Sequence, residues 1–255
     1  MSFIFDGINS QDMGLYIVRI GGSSEITSPF APAQNIVEEK RYKNHIPAFY
    51  RVEKEPLEFE IICSLLDEEF TPEKKMQLNR WLLHEEYKEF ISEDNPNIIY
   101  NVVSTEQIDL ITFGSFKGYI KIKFRADAPW GWSSSFFNAF NLTESVSPTI
   151  IQVTNYCNTQ TYYYPEIEFT LAGTNTGITI KNFSNSGETL QFIGLSETET
   201  VYVNNDSKII ISDTGLYRIG KLVNKKFLSL VYGVNRIEIT GKCTISFRCK
   251  FPLLA

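Results

Sequence analysis

The sequence predicts a mainly β protein with one short helix, built as an N-terminal sheet or barrel-like domain followed by a C-terminal β-sandwich. Three observations predict it. The 255 residues include 19 Phe, 13 Tyr and 3 Trp, and Ile, Val and Thr are abundant; such side chains suit pleated, half-buried surfaces. Many short stretches alternate apolar and polar residues, the spacing of a strand with one buried face. Only one segment carries helix-start signals. The 43% hydrophobic content can bury a core and excludes a disordered chain.

In the first half, Phe3–Phe5 reads as a strand closed by a turn at Asp6-Gly7. Leu15–Ile20 and Leu57–Cys63 alternate and read as two more strands. Thr71-Pro72-Glu73 starts the helix: Thr caps, Pro takes the first helical position, and Glu73 favours the positive end of the dipole. Leu78, Trp81 and Leu82 fall on one helical face, with Met76 an outlying candidate, and the helix is expected to end between His84 and Glu89. Ile98–Val103 and Tyr119–Phe124 are further strands, the second with Ile120, Ile122 and Phe124 on one face and Tyr119, Lys121 and Lys123 on the other.

The stretch from Pro29 to Pro56 is different. It is highly charged, mixed in sign and poor in core-forming residues. A long excursion of this kind is functional or disordered. Its Arg41, Tyr42, His45, Phe49, Tyr50 and Arg51 are the residue types that interfaces favour. An extended arm meeting another subunit is the favoured reading, against a plain surface loop.

The charge divides unevenly. Residues 1–130 carry 21 acids and 14 bases, a net of −7, whereas residues 131–255 carry 9 acids and 10 bases. The join is placed in Ala126–Ser135, where Pro129, Gly131 and a serine run punctuate the chain. This gives an N-terminal domain of residues 1–130 with the arm at about 29–56, and a C-terminal domain of residues 131–255 whose last strand could pack back toward the first. The second half reads as nine strands: Thr149–Thr154, Pro165–Leu171, Thr176–Asn182, Glu188–Phe192, Thr200–Asn204, Ser207–Ser212, Leu228–Val231, Asn235–Thr240 and Cys243–Phe251. Turn residues between short, evenly spaced strands are the mark of a sandwich.

Composition also narrows function. A net charge of −6 argues against wrapping nucleic acid. No apolar run reaches 18 residues, and the N-terminus has no basic region before its first acid, so a soluble chain made in the cytosol, with no membrane partner, is expected. No cofactor, metal or catalytic residue is assigned: His45 and His84 have no evident partner, the four cysteines lack Cys-x-x-Cys spacing, and no phosphate-binding or nucleophile motif occurs. Cys63, Cys243 and Cys249 lie in strand patterns, while Cys157 falls in a loop. Trp130, Trp132, Tyr162 and Tyr163 are candidates for a sugar or partner contact, against the plainer reading that the tryptophans plug the domain junction. Lys225-Lys226 reads as a hairpin tip.

Several motifs in fixed order resemble the distal tail proteins (baseplate hubs) of long, flexible-tailed bacteriophages. They begin with Phe5-Asp6-Gly7-Ile8-Asn9-Ser10-Gln11-Asp12-Met13-Gly14-Leu15. Leu57-Glu58-Phe59 then precedes Arg80-Trp81-Leu82, followed by Phe90–Pro96, Tyr100-Asn101-Val102 and Phe124–Pro129. The second half continues with Asn155-Tyr156, Tyr164–Ile167, Ile180-Lys181-Asn182 and Leu230–Ile237. The chain departs from the family at Asn44-His45-Ile46-Pro47, where many relatives carry a Gly-Arg-x-Gly-like turn.

The resemblance implies a virion tail-tip protein and a ring of six identical subunits. In such a ring the tail-tube-type first domains join the major tail tube protein to the tail-tip protein. Galectin-like or carbohydrate-module-like second domains hold receptor-binding or accessory baseplate proteins. DNA would only transit the lumen, which the acidic first half suits by repelling phosphate. Two rivals stand beside this hub: a carbohydrate-binding protein recognising host cell-wall sugar through its C-terminal sandwich, and a wall-degrading enzyme.

Overall fold

The computed structural model describes residues 1–18, 32–40, 42, 45–65, 69–112, 117–159 and 162–254. The chain forms two compact units, Met1–Ser133 with Leu253–Ala255, and Ser134–Pro252.

The first unit contains β1 (Phe3–Phe5), β2 (Ile8–Asn9), β3 (Leu15–Ile17), β4 (Gln34–Glu39), β5 (Ala48–Lys54), β6 (Glu58–Leu65), α1 (Pro72–Leu82), β7 (Lys88–Ser92), β8 (Asn95–Ser104), β9 (Asp109–Thr112), β10 (Gly118–Ala126) and β11 (Gly131–Trp132). Its main sheet runs β2-β1-β7-β8-β10-β6-β3, with β9 added to β10 and β11 to β8. Asp6 and Gly7 both take positive φ, 49° and 75°, between Phe5 and Ile8, which pair directly. That two-residue turn matches the right-handed twist of the strands it joins.

β10 is the central strand. Ile120, Ile122, Phe124 and Ala126 are buried, while the residues between them are half-exposed. On the outer face, Lys123 bridges Glu106 (2.7 Å) and Glu58 (3.2 Å), and Lys121 reaches Glu60 (3.5 Å). Gly131 lets β11 lie tightly on β8, because a Cβ there would stand 2.2 Å from Ile98 Cγ2.

The helix closes the core of this sheet. Thr71 Oγ1 accepts the Lys74 N–H, and Pro72 occupies the first turn. Leu78, Trp81 and Leu82 are buried. The Trp81 indole stacks on Phe3 (5.8 Å, 11°), meets Phe5 edge-on, and donates its N–H to the Phe5 carbonyl at 3.0 Å. This satisfies the one polar atom of a large buried ring.

Two expectations need correction. Met76 is 67% exposed, because it lies off the face defined by Leu78, Trp81 and Leu82. The helix ends at Leu82, before the interval 84–89: Leu83 turns to extended backbone, its N–H still bonded to Asn79 O. The chain then enters β7, which buries Phe90 against Phe3, Phe59 and Phe124.

The second unit is a sandwich. It comprises β12 (Phe136–Asn141), β13 (Thr149–Asn155), β14 (Tyr162–Tyr163), β15 (Glu166–Leu171), β16 (Gly177–Asn182), β17 (Glu188–Ile193), β18 (Thr200–Asn204), β19 (Ile209–Ser212), β20 (Leu230–Val231), β21 (Gly233–Thr240) and β22 (Cys243–Cys249). One sheet runs β12-β22-β15-β18-β19, the other β13-β21-β16-β17, and β14 pairs with β20. The final strand β23 (Pro252–Leu253) pairs with β11. Alternate residues of both sheets, among them Phe169, Phe192, Phe247, Ile180, Ile237 and Val201, are fully buried.

Buried asparagines fix the irregular stretch around β20. Asn182 Nδ2 donates to Asn235 Oδ1 (2.9 Å) and the Ser229 carbonyl (2.8 Å). Asn155 Nδ2 donates to the Leu230 carbonyl, and Asn205 Oδ1 accepts the Leu228 N–H. Each side chain takes up backbone groups that no strand partner serves.

A buried ion pair fixes a second loop. Arg218 donates to Glu199 through Nε (2.5 Å) and Nη2 (2.7 Å), while Ser212 Oγ donates to the same carboxylate at 2.6 Å. Burial works to raise the Glu199 pKa, but the hydrogen bonds from Arg218, Ser212 and the Ser196 N–H outweigh it and hold the carboxyl below its ordinary value.

Two measurements check these contacts. Trp81→Ala is expected to destabilise the first unit by about 3–5 kcal/mol in thermal unfolding, whereas Met76→Ala changes it by less than about 0.5 kcal/mol. A lowered folded-state pKa stabilises fully above the unfolded carboxylate value and is lost as pH falls through the folded one. The second unit therefore gains from Glu199 near neutrality and loses that gain on acidification below about 4.5. Glu199→Gln should cost about 3 kcal/mol at pH 7 by leaving Arg218 buried without its counter-charge, and should flatten the acid limb of the melting curve.

Candidate functional site, an exposed hairpin

β4 and β5 form a two-stranded sheet of their own, joined to no other strand among the described residues. The hairpin leaves the body where the Glu55 N–H meets the Ala33 carbonyl, and Leu57 returns the chain to the core. Sequence reading treats residues 29–56 as an excursion without strands. The structure shows paired strands here with a register shift between Val37 and Glu38; neither Gln34–Glu39 nor Ala48–Lys54 alternates apolar and polar residues, so the strand period is absent from the sequence.

The register sorts the side chains. Ile36 faces Val52, and Phe49 faces Glu38, two residues further along the same side as Ile36. Ile36, Val52 and Phe49 thus share one face of the ribbon. Ile36 is 64% and Phe49 63% exposed, and Val52 is exposed as well. The opposite face carries Asn35, Arg51 and Glu53. There Arg51 bridges Glu53 at 2.6 Å, and Asn35 donates to Glu55. The Tyr50 hydroxyl donates to the Glu39 carboxylate. Gln34, Glu38 and Lys54 share the face of Ile36, Val52 and Phe49, and Val37 lies on the opposite one; a two-stranded ribbon with exposed apolar side chains is marginally stable alone in water.

Of the arm residues singled out from sequence, Phe49 joins this apolar face. Tyr50 and Arg51 lie on β5 with carboxylate partners on the hairpin. Tyr42 and His45 are exposed in the connection between the strands. Arg41 lies outside the described residues, as do Pro29 and Asn44. Ile36 and Val52 were missed.

The proposed sugar contacts lie two on each unit. Trp130 and Trp132 belong to the first unit, where their rings meet edge-to-face at 6.2 Å and Trp132 Nε1 donates to Asp127 at 3.4 Å. Tyr162 and Tyr163 belong to the second. Tyr163 is used structurally: its ring packs on Phe251 and its hydroxyl accepts the Lys250 N–H.

No group of three metal-ligating side chains forms among the described residues. The cysteines are all buried, and burial pushes the thiols of Cys63 and Cys249 up to about 12 and that of Cys243 to about 11. Thiols held so far from ionisation are poor nucleophiles. His84 packs against the Phe5 ring and lies 3.8 Å from Asp6. No described helix is long and apolar enough to cross a membrane.

The chain is thus β-built and carries an exposed hairpin outside its main sheets. Its fold is that of a phage tail hub protein: the crystal structure of the phage SPP1 Dit protein (gp 19.1), described as a paradigm of the hub adsorption apparatus in phages infecting Gram-positive hosts, superposes with a TM-score of 0.69 at 14% identity, covering 98% of each chain. The chain belongs to a phage tail protein family. Residues 1–128 match the family's phage tail protein N-terminal domain, and residues 130–249 its phage tail C-terminal domain. A prophage SPbeta-derived protein of Bacillus subtilis strain 168, YomH, is 26% identical over 253 residues, covering 99% of this chain and 97% of its own length.

Because Ile36 and Phe49 are exposed, Ile36→Ser and Phe49→Ser should each leave the unfolding free energy of the dissociated chain within about 0.5 kcal/mol of the parent. Denaturant titration of dilute protein measures this.

Proposed function

We propose that this chain is a structural building block of the phage tail hub, acting by assembly and without catalysis. Copies join through the β4–β5 hairpin, whose apolar face is covered by a neighbour. Six copies close a ring in which residues 1–130 meet the major tail tube protein on one side and the tail-tip protein on the other. The second unit, residues 131–255, points outward and carries receptor-binding or accessory baseplate proteins. DNA passes through the lumen.

The single observation that carries the reading is the exposed set Ile36, Phe49 and Val52 on a hairpin that pairs with no other strand among the described residues. Family membership and the shared fold support it. A ring of identical subunits uses two different complementary surfaces on each copy. A projecting hairpin supplies one of them without adding to the core.

The test is mass in solution. By light scattering, the parent chain should form particles of six copies. Ile36→Asp with Phe49→Asp, which would place two carboxylates in an apolar contact, should leave single chains with unchanged thermal stability. Six-copy particles that survive this double change would refute the hairpin's role.

A further inference from the structure

A second exposed apolar surface lies at one edge of the sandwich. β19 pairs with β18 alone among the described residues, so its other edge offers unpaired backbone groups. Ile209 and Ile211 project from this edge strand into solvent. The chain then turns, with Gly215 N–H on the Ser212 carbonyl, and presents Leu216, Tyr217 and Ile219. Leu216 is 59% and Tyr217 96% exposed.

These side chains do not sit on a loose loop. Arg218, between Tyr217 and Ile219, is turned inward onto Glu199, and its Nη2 also reaches Thr214 Oγ1 at 3.2 Å. On one flank Ser212 is tied to the same carboxylate. On the other, Leu222 is buried and bridges Phe192. A buried ion pair adds little net stability, and its best-attested use is to specify one arrangement. Here it fixes a backbone that holds apolar residues out in water, where a monomer gains nothing from them.

Charge identifies what would cover them. Residues 208–226 contain five bases and one acid. Arg218 is neutralised by Glu199, which leaves Lys208, Lys221, Lys225 and Lys226 against Asp213, so the segment keeps a net positive charge. An open strand edge asks for another polypeptide, since lipid cannot supply its N–H and C=O partners. The apolar residues ask for an apolar face, and the lysines for carboxylates at its rim.

We propose that the β19 edge and the 213–223 segment dock a different tail protein, one that adds an apolar strand bordered by Asp and Glu beside β19. This rests on the hub reading, and specifies where the second unit takes its cargo.

The test uses tail particles assembled around the full chain with a photoreactive benzoylphenylalanine at position 217, or at position 232 as a control. Irradiation should join position 217 to another tail protein, at an acidic-flanked strand mapped by mass spectrometry, with at least fivefold lower yield from position 232. Lys221→Glu with Lys225→Glu should reduce that yield at least tenfold while rings still form. Joining to a second copy of this chain, no joining, or equal yield from both positions would overturn the proposal. So would flotation of the full chain with phosphatidylglycerol vesicles that is lost in Tyr217→Ser. Failure of the unsubstituted chain to form rings would refute the hub reading and this proposal with it, whereas rings that form without the position-217 cross-link would overturn this one alone.

Discussion

A two-stranded ribbon has no second layer, and that constraint governs this molecule. In the cores of both units the apolar faces are covered. Trp81, Leu78 and Leu82 of α1 close over the sheet that buries Phe3, Phe5 and Phe124, and the two sheets of the sandwich bury one another's alternate residues. β4 and β5 bring Ile36, Phe49 and Val52 to one side through a register shift between Val37 and Glu38, and no other described strand pairs with them. A pair of strands alone is marginally stable in water. The hairpin is best understood as a surface completed by another chain.

The sandwich meets a related demand by different means. Its strands are joined by irregular stretches whose backbone groups would otherwise be stranded. Asn155, Asn182, Asn205 and Asn235 turn inward to serve them. Glu199 and Arg218 do the same for the 212–218 loop with charge. Such buried polar contacts specify shape more than they add stability. What they specify around Arg218 is a surface whose apolar residues point outward.

Much of the fold was legible in sequence because short-range rules coincide with the long-range packing. Asp6-Gly7 turns a hairpin, Thr71-Pro72 starts the helix, and Ile120, Ile122 and Phe124 alternate into the core. The helix end was read too late, since Leu83 to Lys88 carries no glycine or proline to mark the stop, and β7 was overlooked with it. The asparagine contacts were illegible because Asn reads locally as a turn residue, and its buried role depends on neighbours as much as 75 positions away. Of the candidate site, Phe49, Tyr50 and Arg51 were found by residue type. Ile36 and Val52 were missed because Gln34–Glu39 and Ala48–Lys54 do not alternate apolar and polar residues, and their shared face depends on a register shift set by the pairing.

Hydrogen exchange of the amides in residues 34–54, followed as the chain is diluted from its assembled to its dissociated state, tests the central claim most directly. The account predicts slow exchange in the assembly and near-unprotected exchange in single chains, with the sandwich core unchanged. Equal protection in both states would contradict it, because the ribbon would then need no partner.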